Sequence, residues 1–269
     1  MRIRALILSL ATAAIGFAQQ PVIGAGGIVN GASFAGGQPI TGGSLISIFG
    51  TNLSLSRQHA DTVPLSKSLG GVTVEFVNGN TTLQAPLFDS IPEAQQLNVQ
   101  VPWDIVPPNS TQSVNVIVTR DNVRSAPAQV TVGPFSPGIF PVGTQAVAVN
   151  NADGSLAWPV GSFPGLTSHP AKPGDALIIY ATGLGALDNP VGDGANSLDK
   201  LRFSQTKPTV LVGQVTAEVI SSVLSPQFVG VYQVAIFVPN NAPTGDKVPL
   251  QIQMGGITSP STVTIAVTR

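Results

Sequence analysis

From Val72 onward the chain alternates apolar and polar positions, with Val72, Val74 and Phe76 on one side and Thr73 and Glu75 on the other. The same two-residue period returns in Leu97, Val99 and Val101, in Val114, Val116 and Val118, in Val234, Ile236 and Val238, and in Val263, Ile265 and Val267. Successive side chains of a strand point to opposite faces. The pattern therefore predicts strands with one buried and one wet face, as in antiparallel sheets packed face to face. No segment beyond the N-terminal region sustains a 3.6-residue apolar period with capping residues, which predicts almost no helix. Glycines (29) and prolines (23) stand between the short apolar runs and punctuate them as turns.

The runs come twice. GSLISIFGTNLS, from Gly43 to Ser54, has a counterpart in GDALIIYATGLG, from Gly174 to Gly185, 131 positions later (174 − 43). Downstream, QQLNVQVP ending at Pro102 answers VYQVAIFVP ending at Pro239, Ser113–Thr119 answers Val248–Met254, and Ala128–Val132 answers Val263–Val267. Each half then holds about six or seven short strands in about 110 residues, the spacing of an immunoglobulin-like sandwich. The expected fold class is all-β, with two tandem antiparallel sandwiches over 19–132 and 144–269. A Pro/Gly segment, 133–143, joins them and contains Phe135, Ile139 and Phe140, so it is expected to pack between the domains. Within the repeated phrase, Gly50-Thr51-Asn52-Leu53 and Ala181-Thr182-Gly183-Leu184 predict an exit bulge or tight turn. Gly and Asn tolerate the positive φ required, and the leucine returns to the core.

A strand followed by G-T-N-L, and a strand pair ending in Q-x-x-x-x-V-P (Gln96–Pro102, Gln233–Pro239), resembles the IPT/TIG branch of immunoglobulin-like domains. Ile28–Phe34, Gly43–Leu53, Ser136–Phe140, Pro170–Asp175, Tyr180–Gly185 and Gly230–Val234 together are similar to the acidobacterial, or Solibacter-type, C-terminal domain family of exported proteins. The resemblance covers nearly the whole chain after the N-terminal region. It implies an exported immunoglobulin-like module and brings no catalytic residues with it.

Composition narrows the function classes. Arg2 and Arg4, the apolar run Ala5–Phe17 and the small-x-small ending Gly16-Phe17-Ala18 predict a secretory signal over 1–18, with the mature chain starting near Gln19 and secreted or displayed at the cell surface. That run is shorter than the roughly 20 residues needed to span a bilayer, and no later segment is longer, so no membrane span is expected in the mature chain. With 12 Lys+Arg against 13 Asp+Glu, a net charge of −1 and no basic block, nucleic acid is an unsuitable partner. Cysteine is absent, so packed sheets alone must hold the fold. Charged residues are 9 % of the chain, against about 25 % in an average soluble protein. Strand edges thus have few Lys or Glu to shield them and must be covered or used for self-association.

Candidate chemistry is sparse. Trp103 and Trp158 offer faces on which a sugar ring could stack, with interdomain or core packing as the alternative. Asp188, Asp193 and Asp199 lie with Asn189 and Asn196 in one glycine-containing loop, the oxygen-rich composition a weak calcium site uses. It lacks the EF-hand register, and its plain alternative is a long hydrophilic connection; no other cofactor is implied. His59 and His169 have no partner at metal or triad spacing. Ser197-x-x-Lys200 and Ser204-x-x-Lys207 spell a penicillin-binding motif without its helix or accompanying elements. The sequons at Asn52, Asn80 and Asn109 are coincidental in a bacterial setting. These observations favour an exported, non-catalytic binding, adhesion or scaffold module with an extracellular protein or polysaccharide partner. A carbohydrate-binding module is the alternative. A hydrolase would need His169, Lys172 or Asp175 to meet a serine between the domains.

Overall fold

The computed structural model describes residues 19–269, so the signal sequence expected over 1–18 lies outside the described residues. The first half contains β1 (Val22–Asn30), β2 (Ile40–Thr41), β3 (Leu45–Thr51), β4 (Gln58–His59), β5 (Val72–Asn78), β6 (Thr81–Gln84), β7 (Leu87–Ile91), β8 (Gln96–Gln100), β9 (Gln112–Arg120), β10 (Val123–Arg124) and β11 (Ala128–Gly133). Helical structure among the described residues amounts to one 3-10 turn, Pro92–Ala94. One layer runs β1-β3-β8-β7-β4 and the other β2-β11-β9-β5-β6, with β10 beside β9. All pairs are antiparallel except β2 with β11. Ile46, Ile48, Leu97 and Val99 face Val74, Phe76, Val116 and Val118 across the first core, and none of them is exposed. Each fully buried aliphatic or aromatic side chain contributes about 1.5–3 kcal/mol through the water it sheds.

The second half contains β12 (Gly138–Ile139), β13 (Pro141–Val142), β14 (Gln145–Ala146), β15 (Ala148–Asn150), β16 (Ala176–Thr182), β17 (Thr209–Val212), β18 (Val215–Leu224), β19 (Tyr232–Phe237), β20 (Gly245–Met254), β21 (Ile257–Thr258) and β22 (Thr264–Val267). A separate core fills it, built on Leu177, Ile179, Val234, Ile236, Leu250, Ile252 and Ile265. The alternating runs of the sequence become β5, β8, β9, β11, β17, β19, β20 and β22, and the repeated phrase becomes β3 and β16.

The layers of the second half are joined rather than separate, in the continuous order β12-β16-β19-β18-β17-β20-β22-β14-β13. Two ten-residue strands carry the chain around the corner. Val215–Ala217 of β18 pair with β17 while its later residues pair with β19, and β20 divides likewise between β22 and β17. An irregularity between Val219 and Ser221 lets β18 bend, as sheet-switching strands do. The first half cuts the matching stretch into β6 and β7 at Ala85-Pro86. Proline supplies no N–H to a ladder, so the strand stops there and resumes in the other layer.

The exit turn appears in both halves: Asn52 has φ 56° and Gly183 φ 77°, and the leucines that follow, Leu53 and Leu184, are buried. A second repeated corner emerges only in the structure. The Asn30 and Asn150 carboxamide oxygens accept from the N–H groups of Ala32 and Ala152, and each asparagine's neighbour bonds back to the start of the next long strand. Asn30 and Asn150 are 120 apart (150 − 30), whereas Gly43 and Gly174 are 131 apart (174 − 43). The second half therefore carries 11 additional residues between corner and phrase (131 − 120), and Trp158 stands in that longer loop.

Candidate functional site

The junction between the sandwiches is built from the exit turn and the Asp188–Asp199 loop. Thr182, the last residue of β16, is buried; its Oγ1 accepts from Leu45 N–H at 3.0 Å and donates to the Gly230 carbonyl at 2.7 Å. Gly194 N–H donates to Gln100 Oε1 at 2.6 Å, and Trp103 N–H donates to Asp193 Oδ1 at 2.9 Å. Leu65 N–H reaches the Gly194 carbonyl at 2.8 Å, and Lys67 lies 3.6 Å from the other Asp193 oxygen. On the opposite side Asn30 Nδ2 donates to the Ser136 carbonyl at 2.7 Å. The connecting segment packs on the second core through Phe135 and contributes Ile139 to it. Gly183 has no room for a side chain, because a Cβ there would lie 1.9 Å from the Ser136 carbonyl oxygen. Buried polar groups held by partners of fixed geometry rigidify a contact, since breaking one leaves its partner unsatisfied.

This arrangement reassigns the residues the sequence singles out. Trp158 is 1 % exposed and its indole N–H donates to the Ala146 carbonyl at 2.6 Å, so it anchors the longer loop and has no open face for a sugar. Trp103 packs against the second core with its ring over Gly43, where a Cβ would come within 2.2 Å of the ring; it is a wedge between the domains. The three carboxylates do not converge. Asp188 accepts from Phe203 N–H, Asp193 holds Trp103, and Asp199 forms a two-pronged pair with the buried Arg202 guanidinium. That pair holds the Asp199 carboxyl below its usual range and raises Arg202. Among the described residues no group of three or more His, Asp or Glu side chains is placed to hold a metal ion.

The residues a hydrolase would need are also engaged elsewhere. His169 places Nε2 2.9 Å from Asp153 Oδ2 and Nδ1 3.0 Å from the Pro170 carbonyl. Two acceptors call for two ring protons, and first the carbonyl and then the carboxylate raise its pKa. Asp153 is held well below the usual carboxylate range, first by the Ser155 hydroxyl, then by Ser155 N–H and His169. Ser155 thus donates to the carboxylate rather than to the imidazole. Asp175 accepts from Lys172 N–H and from Asn150. The serines of the S-x-x-K pairs donate to backbone carbonyls, Ser197 to Lys200 and Ser204 to Thr206. The hollow at the junction lined by Trp103, Pro108, Leu187, Pro190 and Val191 is about 160 Å³, below the ~300–1,000 Å³ of ordinary ligand clefts. A larger one of about 560 Å³, between Gly24–Ile28 and Pro127–Thr131, has no ionisable side chain in its lining.

A polar row crosses the outer face of the first sandwich, and sequence reasoning missed it. The strand register places Ser47, Asn98, Asp89 and His59 side by side on β3, β8, β7 and β4. Ser47 Oγ donates to Asn98 Oδ1 at 2.7 Å, Gln96 Nε2 donates to the same oxygen at 2.7 Å, and His59 Nδ1 lies 2.7 Å from Asp89 Oδ1. Phe88 stands edge-on to His59 with ring centroids 5.0 Å apart. The polar residues at alternate positions of β8, Gln96, Asn98 and Gln100, are the sequence signal, but the row needs the pairing register to be seen.

No protein-family model matches the chain, and no curated protein does. Among solved structures it is similar to the plexin A4 extracellular region (9 % identity, TM-score 0.25, covering 93 % of this chain and 34 % of that one). It is also similar to the chicken CNTN1 FN1–FN3 domains (12 % identity, TM-score 0.22, covering 90 % and 63 %). A third likeness is to the C-terminal domain of the Streptococcus agalactiae AgI/II polypeptide BspA (9 % identity, TM-score 0.20, covering 93 % and 100 %). The chain spans about a third of the plexin chain and under two thirds of the contactin chain. No helix among the described residues is long and apolar enough to cross a membrane.

Proposed function

We propose that this chain is an exported, non-catalytic module of two immunoglobulin-like sandwiches, held at a fixed angle, that presents surfaces to an extracellular protein or polysaccharide. The junction carries this reading. Thr182, Gln100, Asp193 and Asn30 tie each sandwich to main-chain groups across the boundary, which suits a rigid display or scaffold element. Catalysis by general acid–base chemistry needs ionisable groups converging on one point, whereas here the histidines and the loop carboxylates are occupied by neighbours. The test follows the chain in its own cells and adds labelled residues 19–269 to their surface. An extracellular product starting near Gln19 and saturable surface binding are expected. Cytoplasmic retention with an intact N-terminus, or turnover of ester, peptide or glycoside substrates, would overturn the proposal.

A polysaccharide partner is favoured by the polar row, where amide, carboxylate and imidazole groups lie beside Phe88. On a glycan array run with calcium and with chelator, binding lost in Asn98→Ala and His59→Ala would support it.

A further inference from the structure

A buried cation ties down the start of the first sandwich. Arg120, the last residue of β9, is 4 % exposed, and none of the ion pairs among the described residues includes it. Carbonyls hold it instead. Its Nη1 donates to the Asn52 carbonyl of the exit turn at 2.8 Å and its Nη2 to the Gln19 carbonyl at 2.7 Å, while Nε has no partner among the described residues. Gln20 is fastened as well: its Nε2 donates to the Arg124 carbonyl at 2.8 Å, and its own carbonyl accepts from Asn52 Nδ2 at 3.4 Å. Pro21 is buried, and β1 begins at Val22. Gln19 is exposed, and among the described residues only its carbonyl is bonded. The fold thus uses the main chain of Gln19 and leaves its side chain free. Losing the residue would take from a buried guanidinium one of the two carbonyls that hold it, and a buried charged group left short of partners is costly.

We propose that Gln19 is a modification site, at which the chain freed by signal cleavage closes into an N-terminal pyroglutamyl lactam. The inference rests on the export reading above, in which cleavage after Ala18 makes Gln19 the first residue. The Gln19 α-amine attacks its own Cδ. The N–Cδ bond forms, the Cδ–Nε2 bond breaks, and the departing amide nitrogen takes one proton from the amine and leaves as ammonia. Nothing is oxidised or reduced, and no second reactant is needed. Nucleophile and amide belong to one residue, which spares the entropy of bringing them together. Arg120 assists, because a neighbouring cation disfavours the ammonium form of an amine and the neutral amine is the nucleophile. The lactam carries no charge, so no second positive charge remains beside the guanidinium. Gln19 keeps its carbonyl and therefore its bond to Arg120, and the chain no longer offers the free amine that an aminopeptidase requires. Gln20 is a glutamine too, but its amide is held on the Arg124 carbonyl.

Mass spectrometry of the product exported by cells that make the full chain tests this. The expected product starts at Gln19, is lighter than the open chain by the mass of one ammonia, and resists Edman sequencing. After unfolding and treatment with pyroglutamyl aminopeptidase it should show Gln20 first. In a second arm, residues 19–269, which hold both complete cores, are released in vitro with Gln19 open and incubated at neutral pH beside a peptide of residues 19–26. The folded chain should lose ammonia at least as fast as the peptide. Gln19→Ala, which keeps the carbonyl on Arg120, should keep its mass and its reactive amine. An exported product that starts at Gln19 with a free amine, or a folded chain that loses ammonia more slowly than the peptide, would overturn the proposal. An exported product that starts at another residue would overturn it and leave the export reading standing, whereas retention of the uncut chain in the cytoplasm would overturn both.

Discussion

Ser47 in the first sandwich and Ile178 in the second occupy the same place in the repeated phrase, outward-facing on β3 and β16 between two core residues. Ser47 lies between Val29 and Asn98, with Asp89 beyond Asn98, and Ile178 lies between Val149 and Ala235, with Ser221 beyond Ala235. The inward positions change little: Ile46 and Ile48 become Leu177 and Ile179. The core side of a repeated strand must keep its volume, whereas the outer side is free to acquire a task. One face has become a hydrogen-bonded row and the other a largely apolar one.

The same comparison orders the substitutions that would break it. The largest effect is expected at the exit turn. Gly183→Ala sets a Cβ against the Ser136 carbonyl in a left-handed conformation and should cost about 3 kcal/mol or more in denaturant unfolding. Asn52→Ala, at the equivalent turn, should cost about 1 kcal/mol. Next is Thr182→Val, which leaves Leu45 N–H and the Gly230 carbonyl unpaired and should cost about 2–3 kcal/mol, while Thr51→Val at the exposed equivalent should stay within about 0.5 kcal/mol.

Exchanging the rows comes third. Ile178→Ser with Ala235→Asn should change stability by under about 1 kcal/mol in denaturant unfolding, since both side chains lie outside the core. The smallest effect lies in the loop that is longer in the second half. By NMR, His169 should titrate above its ordinary value and fall toward it in Asp153→Asn. A raised histidine pKa stabilises the fold at pH below the unfolded value of about 6.5, and that contribution is lost as pH rises through the folded value. The lowered Asp153 pKa acts in the opposite sense, stabilising above the usual carboxylate range and losing its contribution as pH falls through the folded value.

The strands and their duplication are legible in the sequence because both depend on short-range periodicity. Val72, Val74 and Phe76 announce a half-buried strand without reference to any partner. The turn at Asn52 and Gly183 is legible for a similar reason, because positive φ restricts the residue itself. The roles of Asp193 and Trp158 are not legible. One carboxylate serves the backbone of Trp103, 90 positions away, and one indole serves the carbonyl of Ala146. A carboxylate read by composition looks like a ligand wherever its tertiary partner is out of view. The Asn30 and Asn150 corner could have been found, since Val-Asn-x-Ala is written twice, but the longer loop shifts it out of the 131-residue spacing. The bend in β18 rests on the absence of a residue like Pro86, which no pattern within β18 displays.

Four of the hydrogen bonds across the junction join a side chain of one part to the main chain of another. Thr182, Gln100, Asp193 and Asn30 supply the side chains; Leu45, Gly194, Trp103 and Ser136 enter these four bonds through backbone groups. A backbone amide is the same amide whatever side chain it carries. Four side chains are thus constrained, while at Leu45 and Ser136 on the receiving side the bond does not depend on which side chain is carried. Descendants of this chain could therefore rewrite their outer faces through many generations of new partners while the two sandwiches kept their posture.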